Sequence, residues 1–304
     1  MMRRLIGFLW LATVPSLSAQ IVVTNVAVAD AFVRSFDPTH NYGGAGALSV
    51  SGPIATNAIG QQEGLLDTFM RFDVSSAVTN FNSSFGTGRW VVVGAVLDLF
   101  EQGDPLNTIF NQGVGPFEVQ WIATNSWAEG TGNPNNPTTD GIVWTNEPSI
   151  LNSNVDESLG TFVNGGTNGL VRLALGMPSG FVSAISTGGL VSFYMTAPTN
   201  SPVGFTFHSH NFVDSTQWPF LDVEAVQMPR ITSLTITGSD MKIAFVTSIN
   251  ITNTVEYSST LASNSWSTLT NIVGTGGSAI VVDPGAATLP KRFYRVHLTA
   301  ATQN

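Results

Sequence analysis

The segment Trp90–Phe100, which reads WVVVGAVLDLF, indicates the fold class of this chain. It is short and rich in β-branched residues, and a turn-rich stretch follows it, as is typical of a β-strand. Similar short segments, separated by clusters of Gly, Pro, Asn and Asp, recur from residue 21 to residue 226, and none shows a convincing helical stripe of ten or more residues. The pattern therefore predicts an all-β protein. The other candidate strands in this part are Ala29–Arg34, Leu48–Val50, Leu66–Phe72, Phe117–Ile122, Gly141–Trp144, Leu170–Ala174, Val191–Tyr194, Gly204–His208 and Phe220–Val226.

The composition of the 304-residue chain agrees with this prediction. Asp, Glu, Lys and Arg supply only 10% of the residues, so Asn, Thr, Ser and Gly provide most of the polarity, and these residues favour turns and strand faces over helical surfaces. A formal net charge of −9 argues against a nucleic-acid partner, which needs clustered Lys and Arg. The chain contains no cysteine, which excludes a disulfide framework, a thiolate nucleophile and a Cys-based zinc site.

Residues 1–19 have the pattern of a secretory signal peptide. Arg3 and Arg4 precede an apolar run from Leu5 to Val14, and small residues follow, so we expect cleavage after Ala19. The alternative is a buried first strand or helix. The run is too short to span a membrane, and no later segment reaches about 18 uncharged apolar residues. We therefore expect a protein that is secreted or located in the cell envelope, without a membrane span.

The strand pattern breaks at Met228-Pro229 and then resumes. We place a large β-sandwich at residues 20–227, which the resemblance described next makes a jelly roll. We place a smaller immunoglobulin- or fibronectin-like β-sandwich at residues 228–304, because a short stretch with six or seven strands fits such a module. The candidate strands of the second domain are Ile231–Thr237, Lys242–Phe245, Thr254–Tyr257, Trp266–Thr270, Ala279–Val282 and Arg292–Leu298.

An ordered series of segments runs through the first domain. They are VADAFVRS (Val28–Ser35), NYGGAGALSV (Asn41–Val50), TFMRFDVSSAV (Thr68–Val78), GAVLDLF (Gly94–Phe100), NSWAEGTG (Asn125–Gly132), GIVWTNEP (Gly141–Pro148), FTFHSHNF (Phe205–Phe212) and WPFLDV (Trp218–Val223). In order and spacing this series resembles the DNRLRE family of disaggregatase-related jelly-roll modules. The resemblance implies a carbohydrate-binding module for an extracellular polysaccharide, such as acidic alginate. One departure is His208-Ser209-His210, where family members commonly have an Arg-Glu or Ser-Arg type of pair.

Four segments carry a second resemblance. They are VEYSSTLASNSWSTL (Val255–Leu269), GTGG (Gly274–Gly277), VVDPGA (Val281–Ala286) and KRFYRV (Lys291–Val296). This part of the chain is similar to a fibronectin-like module found in exported proteins of Verrucomicrobia. The resemblance implies an accessory domain without chemistry of its own.

Three residues of the first domain form a candidate calcium site. Asp30, Asn41 and Asp222 lie on the first strand, in the following loop and on the last strand, and calcium takes six to eight oxygen ligands. The alternative is that the two carboxylates cap strand ends and accept hydrogen bonds from loop amides. Such a calcium ion would be structural, and we expect no required cofactor.

Arginines and aromatic residues form the candidate carbohydrate site. Arg34, Tyr42 and Arg71 could bind the carboxylate of an acidic sugar, although Arg71 and Asp73 share a strand face and could instead form a structural ion pair. Trp127, beside Glu129, is the best candidate for a ring that stacks on sugar. Trp121 and Trp144 fit the core better. The loop Gly130–Asp140 lies at the surface, either as the rim of the site or as a connector.

His208 and His210 would point the same way on a continuing strand and could bind zinc with Asp214, although solvated histidines are the commoner outcome. The chain has no HExxH, GxSxG or P-loop motif. We therefore expect a non-catalytic carbohydrate-binding or adhesion protein. The alternatives are a structural surface or matrix protein without a small ligand, and a polysaccharide lyase or hydrolase that uses His40, Tyr42 and Arg34. The sequence leaves the oligomeric state open.

Overall fold

The computed structural model describes residues 20–56, 60–102, 113–166 and 168–299. The predicted signal peptide, residues 1–19, lies outside them. Strands account for 48% of the chain and helices for 11%, so the predicted all-β fold is confirmed. Within the described ranges, no helix is long and apolar enough to cross a membrane.

The chain divides into two compact units, Ile21–Met228 and Pro229–His297. The described residues of the first unit form ten strands and two α-helices. They are β1 (Gln20–Arg34), β2 (Ala47–Ser51), β3 (Leu66–Asp73), α1 (Ser75–Phe85), β4 (Trp90–Glu101), β5 (Gly115–Ile122), β6 (Glu157–Asn164), β7 (Gly169–Ala174), α2 (Ser179–Thr187), β8 (Leu190–Thr196), β9 (Gly204–His208) and β10 (Phe220–Gln227). Single 3-10 turns occur at Glu147–Ser149 and Ser215–Gln217.

Nine of these strands form one hydrogen-bonded path in the order β1-β10-β4-β9-β2-β3-β8-β5-β6, and the tenth, β7, lies off this path and pairs with β4. The long strand β1 also pairs with β3, where Asp30 lies opposite Met70 and Arg34 lies opposite Leu66. Because β1 hydrogen-bonds to both β10 and β3, the path returns on itself and encloses a core. That core contains ring pairs such as Phe72 with Phe193 and Phe117 with Phe205, whose centroids are 5.5 and 4.8 Å apart.

The two α-helices correct the expectation that no helical stripe is present. In α1 the buried residues Ala77, Phe81 and Phe85 recur every four positions, which places them on one helix face. Phe81 packs against Trp90 with ring centroids 5.1 Å apart. The remaining residues of α1 are mostly Ser, Thr and Asn, which have weak helix propensity, so packing of the apolar face has to stabilise the helix.

A second apolar cluster forms where the segment after β5 folds over the sheet. Trp127 and Ile142 pack with Ala31, Phe69 and Tyr194, all of them buried. The segment Gly141–Trp144, which we predicted as a strand, is a loop in the structure. Its apolar residue Ile142 packs into this cluster instead of a sheet face. Strand alternation places Asp30 on the face of β1 opposite Ala29 and Ala31.

The second unit consists of two three-stranded antiparallel sheets, in the orders β11-β12-β15 and β14-β13-β16. Ile243, Phe245, Val255 and Val281 form its core. All six predicted strands of this domain are present. Their bounds are β11 (Ile231–Thr237), β12 (Asp240–Val246), β13 (Thr252–Ser258), β14 (Ser267–Val273), β15 (Ser278–Asp283) and β16 (Phe293–Leu298), with a 3-10 turn at Ala286–Thr288.

Candidate functional site

Asp30, Glu129 and His210 converge in the first unit. Each offers one oxygen or nitrogen atom, and these three atoms lie within 4.8 Å of one another. Nδ1 of His210 is 3.3 Å from Oδ1 of Asp30 and 3.2 Å from Oε1 of Glu129. The side chain of Asp30 is fully buried, whereas those of His210 and Glu129 are 19% and 23% exposed. The cluster is therefore buried at Asp30 and partly open to solvent at His210 and Glu129.

Strand β9 ends at His208, so His210 lies in the loop that follows. This loop is anchored by Ser209, whose hydroxyl donates to the carbonyl of Ala45 over 2.5 Å. The backbone N–H of His210 donates to Oδ2 of Asp30 over 2.7 Å. Asp30, on β1, thus fixes the backbone of His210 through this hydrogen bond and lies beside its ring.

Asn41 positions the loop that carries Glu129. Its Nδ2 donates to the carbonyls of Glu129 and Ile142 over 2.6 and 2.9 Å, and its Oδ1 accepts from the N–H groups of Gly43 and Gly132 over 3.0 and 3.1 Å. Asn41 is fully buried. Through these four bonds Asn41 joins the loop after β1 to the loop that carries Glu129, and this is its role in the structure in place of the calcium ligation that we predicted.

Glycines permit this close approach of two loops. A Cβ atom at Gly43 would lie 2.0 Å from the carbonyl oxygen of Glu129, and one at Gly130 would lie 2.2 Å from Oδ1 of Asn41. Gly130 also has a φ of +83°, which side chains rarely adopt. Glycine at these positions of NYGG (Asn41–Gly44) and EGTG (Glu129–Gly132) therefore lets the two loops lie in direct contact.

The three titratable side chains of the cluster shift one another's pKa. Burial raises the pKa of Asp30, and the nearby His210 opposes that increase. Burial likewise raises the pKa of Glu129, again opposed by His210. The Asp30 carboxylate in turn raises the pKa of His210, against the effect of burial. Two carboxylates facing a single imidazole favour a positive charge at the centre of the cluster, carried by a proton or by a bound cation.

Asp222, the third predicted calcium ligand, belongs to a different cluster. Its carboxylate accepts from the Thr24 hydroxyl over 2.5 Å and from Arg172 over 2.8 Å. Arg172 also contacts Asp98 at 3.1 Å. Asp30, Asn41 and Asp222 therefore do not form one set of cation ligands, because strand pairing directs Asp222 toward the arginine of β7.

Arg34 and Tyr42 are committed to internal contacts. The Arg34 guanidinium pairs with Asp37 at 3.0 Å and with Glu63 at 2.7 Å. The Tyr42 ring is 6% exposed and stacks on Phe32 with centroids 4.6 Å apart, and its hydroxyl donates to Asp37 over 3.1 Å. These contacts use the Arg34 guanidinium and the Tyr42 hydroxyl to hold the loop after β1, and they bury the Tyr42 ring.

Arg71 and Trp127 together stabilise the loop after β5. Arg71 donates from Nη1 to the carbonyls of Asn125 and Trp127 and lies 4.6 Å above the Trp127 ring. Trp127 is only 4% exposed, and its Nε1 donates to Ser192 over 3.0 Å. The expectation of an exposed stacking ring is therefore wrong for Trp127, because the loop buries it against the sheet.

Of the remaining predictions for aromatic and acidic residues, some agree with the structure and others do not. Trp121 is buried in the core, as expected, and Trp144 is half-buried against the cluster of Trp127. Asp73 accepts from the N–H of Ser75 over 2.9 Å, a contact at the start of α1. Glu129 belongs to the Asp30–Glu129–His210 cluster, so its partners are Asp30 and His210 rather than a stacking tryptophan.

Loop 130–140 is mostly exposed, as predicted. Three hydrogen bonds from Thr138 and Thr131 lower the pKa of Asp140 to about 2.

His208 and His210 have different surroundings. The His208 ring stacks on Phe212 with centroids 3.5 Å apart, and burial lowers its pKa. Asp214 accepts hydrogen bonds from Thr216 rather than joining His210. The zinc site predicted from these three residues is therefore not assembled, because the chain turns after His208. The Trp218 and His210 rings lie nearly perpendicular to each other with centroids 6.0 Å apart, and Nε1 of Trp218 donates to the carbonyl of Phe212.

No family model matches this chain, and no curated protein is significantly similar to it. Four of the segments quoted above, which begin at Val28, Asn41, Asn125 and Phe205, nevertheless meet at the Asp30–Glu129–His210 cluster.

Proposed function

We propose that this chain is an exported, non-catalytic protein that binds an extracellular polysaccharide through the surface around His210. The observation that carries the proposal is a combination of side chains on the loop after β9. The imidazole of His210, the exposed amide of Asn211 and the carboxylate of Glu129 lie beside the half-buried rings of Phe212 and Trp218. Sugars are recognised by flat rings that stack on their C–H faces and by polar groups that bond their hydroxyls.

The rings of this surface are held in place. Phe212 stacks on His208, and a 2.8 Å hydrogen bond from the Trp218 indole to the Phe212 carbonyl links the two aromatic positions. The Asn211 amide donates to Oε1 of Glu129 over 3.0 Å and to the carbonyl of Gly43 over 2.9 Å. Side chains ordered in this way lose little conformational entropy when a ligand binds, which favours recognition.

Two observations support binding rather than catalysis. Asp30 and Glu129 resemble a glycosidase pair in residue type, but the side chain of Asp30 is fully buried, so a sugar cannot reach it. In the alternative set of His40, Tyr42 and Arg34, the Tyr42 hydroxyl is bonded to Asp37 and the ring is buried. Export is supported by the sequence of residues 1–19.

A second candidate function is a structural surface protein without a small ligand. The burial of Tyr42 and Trp127, together with the internal contacts of Arg34 and Arg71, favours it. These residues were the best sequence candidates for binding, and the fold uses them to fix loops. The two functions differ in one measurable property, which is retention by polysaccharide.

Affinity electrophoresis of the full chain tests the proposal, with alginate and polygalacturonate as acidic polymers and dextran and β-glucan as neutral ones. We expect retardation by at least one polymer without release of reducing ends or unsaturated products. Trp218→Ala should abolish the retardation, whereas Phe36→Ala, which removes a 59% exposed ring from another loop, should retain it. Retardation by none of the polymers would overturn the proposal and favour the structural function.

A further inference from the structure

We infer that Asp30, Glu129 and His210 form a binding site for a divalent transition-metal ion of the zinc class. The inference goes beyond polysaccharide binding and does not depend on it. It rests on the positions of three side chains from β1, the loop after β5 and the loop after β9, and on two buried atoms without hydrogen-bond partners.

The distances fit the coordination shell of such an ion. Zinc bonds to imidazole nitrogen and carboxylate oxygen are about 2.0–2.1 Å long, and tetrahedral geometry then places neighbouring ligand atoms about 3.3–3.4 Å apart. Nδ1 of His210 lies 3.3 Å from Oδ1 of Asp30 and 3.2 Å from Oε1 of Glu129. An ion placed between these atoms would therefore require only small side-chain adjustments.

Two atoms that face this point lack directed partners. Oδ1 of Asp30 and Nδ1 of His210 are both buried, and neither makes a hydrogen bond of acceptable geometry to any described residue. Their 3.3 Å contact is thus an approach without hydrogen-bond alignment. Buried carboxylate oxygens are normally satisfied, because an unsatisfied one costs free energy. A cation at the point on which both atoms converge would satisfy both of them.

The chemistry of the ligand set selects the class of ion. Calcium takes six to eight oxygen ligands, whereas imidazole is a preferred ligand of zinc and its transition-metal neighbours. One nitrogen and two carboxylates supply three protein ligands and a charge that a divalent cation neutralises. Because His210 and Glu129 are partly exposed, a fourth position is open to water or to another oxygen ligand, as in zinc sites with an open coordination position.

Surrounding groups hold the ligands in position. Asn211 and the N–H of Asp30 both donate to Oε1 of Glu129, over 3.0 and 3.4 Å. The N–H of His210 donates to Oδ2 of Asp30, which leaves Oδ1 facing the centre. Such outer contacts orient metal ligands and raise affinity.

The test uses tag-free full chain stripped with a chelator, titrated with zinc chloride by calorimetry and with cobalt chloride by visible absorption. We expect one zinc ion per chain and a cobalt spectrum with ligand-field bands of four- or five-coordinate metal. His210→Gln and Glu129→Gln should weaken zinc binding at least about tenfold. His297→Gln, which replaces a 49% exposed histidine of the second unit, should bind zinc like the native chain.

Thermal unfolding separates a metal site from an ion pair between His210 and the carboxylates. Zinc should raise the melting temperature of the native chain and of His297→Gln, but not that of His210→Gln, and calcium should not substitute for zinc. The inference is overturned if the native chain shows no zinc response, or if His210→Gln binds zinc as tightly as the native chain. Because no polysaccharide is present, failure here is separate from failure of the proposed function.

Discussion

Nδ1 of His210 lies 3.3 Å from Oδ1 of Asp30, although 180 positions separate the two residues in the sequence. The contact depends on the pairing of β9 with β2, which ends where Ala47 lies opposite His208, and on the hydrogen bond from Ser209 to Ala45. Asp30 is therefore both a buried residue of the fold and part of the candidate site.

Replacing Asp30 should destabilise the protein more than replacing Asp222. Asp30→Ala leaves the N–H of His210 without its acceptor and removes a buried partner of the ring, which should lower the free energy of unfolding by about 2–4 kcal/mol. Asp222→Ala loses contacts to Arg172, a side chain that is 55% exposed, and should cost about 1 kcal/mol or less. Urea denaturation of both variants in chelator checks the order, and equal losses would contradict a buried role for Asp30.

Gly43→Ala should disturb the approach of the loop that carries Glu129. The added Cβ would lie 2.0 Å from the Glu129 carbonyl oxygen, and such overpacking costs about 1–3 kcal/mol. Gly165→Ala is a matched control, since no heavy atom lies within 4 Å of its added Cβ. Chemical denaturation should show a clear loss for the first variant and little change for the second. A neutral Gly43→Ala would mean that the two loops are farther apart.

The stability of the native protein should fall as the pH rises from about 4.5 toward 7. Burial, followed by the proximity of Asp67, raises the pKa of Glu147 from 4.5 to about 7. Between these two values the folded state holds more protons than the unfolded state, so the free energy of unfolding falls with rising pH and levels off above the folded pKa.

Glu147→Gln removes the part of this dependence that Glu147 causes, while Asp67, whose pKa burial raises to about 6, keeps its own part. The substitution keeps an acceptor for the Tyr194 hydroxyl, which donates to Oε1 of Glu147 over 2.8 Å. At pH 8 the variant should be more stable than the native chain by an amount on the order of 1–3 kcal/mol, and at pH 4.5 the two should nearly coincide. Urea denaturation across this range measures the difference. A native stability that rises between pH 5 and 8, with no gain for Glu147→Gln, would show that Glu147 ionises normally.

Trp127→Phe should affect stability and leave polysaccharide binding intact. The substitution loses the hydrogen bond to Ser192 and part of the contact with Arg71, which should cost about 1–2 kcal/mol. Denaturation and affinity electrophoresis of the same preparation distinguish the roles. Loss of retention at unchanged stability would instead place Trp127 at the ligand.

Strand positions could be predicted from sequence because alternation and turn residues are local signals. The bounds of β11, Ile231–Thr237, coincide with the predicted segment. Helix α1 is missed because its Ser, Thr and Asn residues are weak helix formers, although Ala77, Phe81 and Phe85 at four-residue spacing carry the signal. Its apolar face becomes decisive only when it packs against β4 and β10.

The candidate site is predicted only in part. Asp30 and Glu129 can be singled out from sequence, but their partners cannot, because a sequence does not show which loops meet across a folded sheet. Sequence reasoning pairs His210 with His208 on one strand face, yet β9 ends at His208 and the next residues turn toward Asp30. Trp127 and Tyr42 are attractive as binding residues by type, and only the packing of the loops reveals that both are buried.

The measurement that tests the central claim most directly is the dissociation constant of the native chain and of Trp218→Ala for a polysaccharide that retards the native chain. If the surface around His210 is the binding surface, the dissociation constant of Trp218→Ala should be at least about tenfold larger than that of the native chain, which corresponds to about 1.4 kcal/mol or more of lost binding free energy. Equal constants for the two proteins would contradict the account, because binding would then occur elsewhere on the chain.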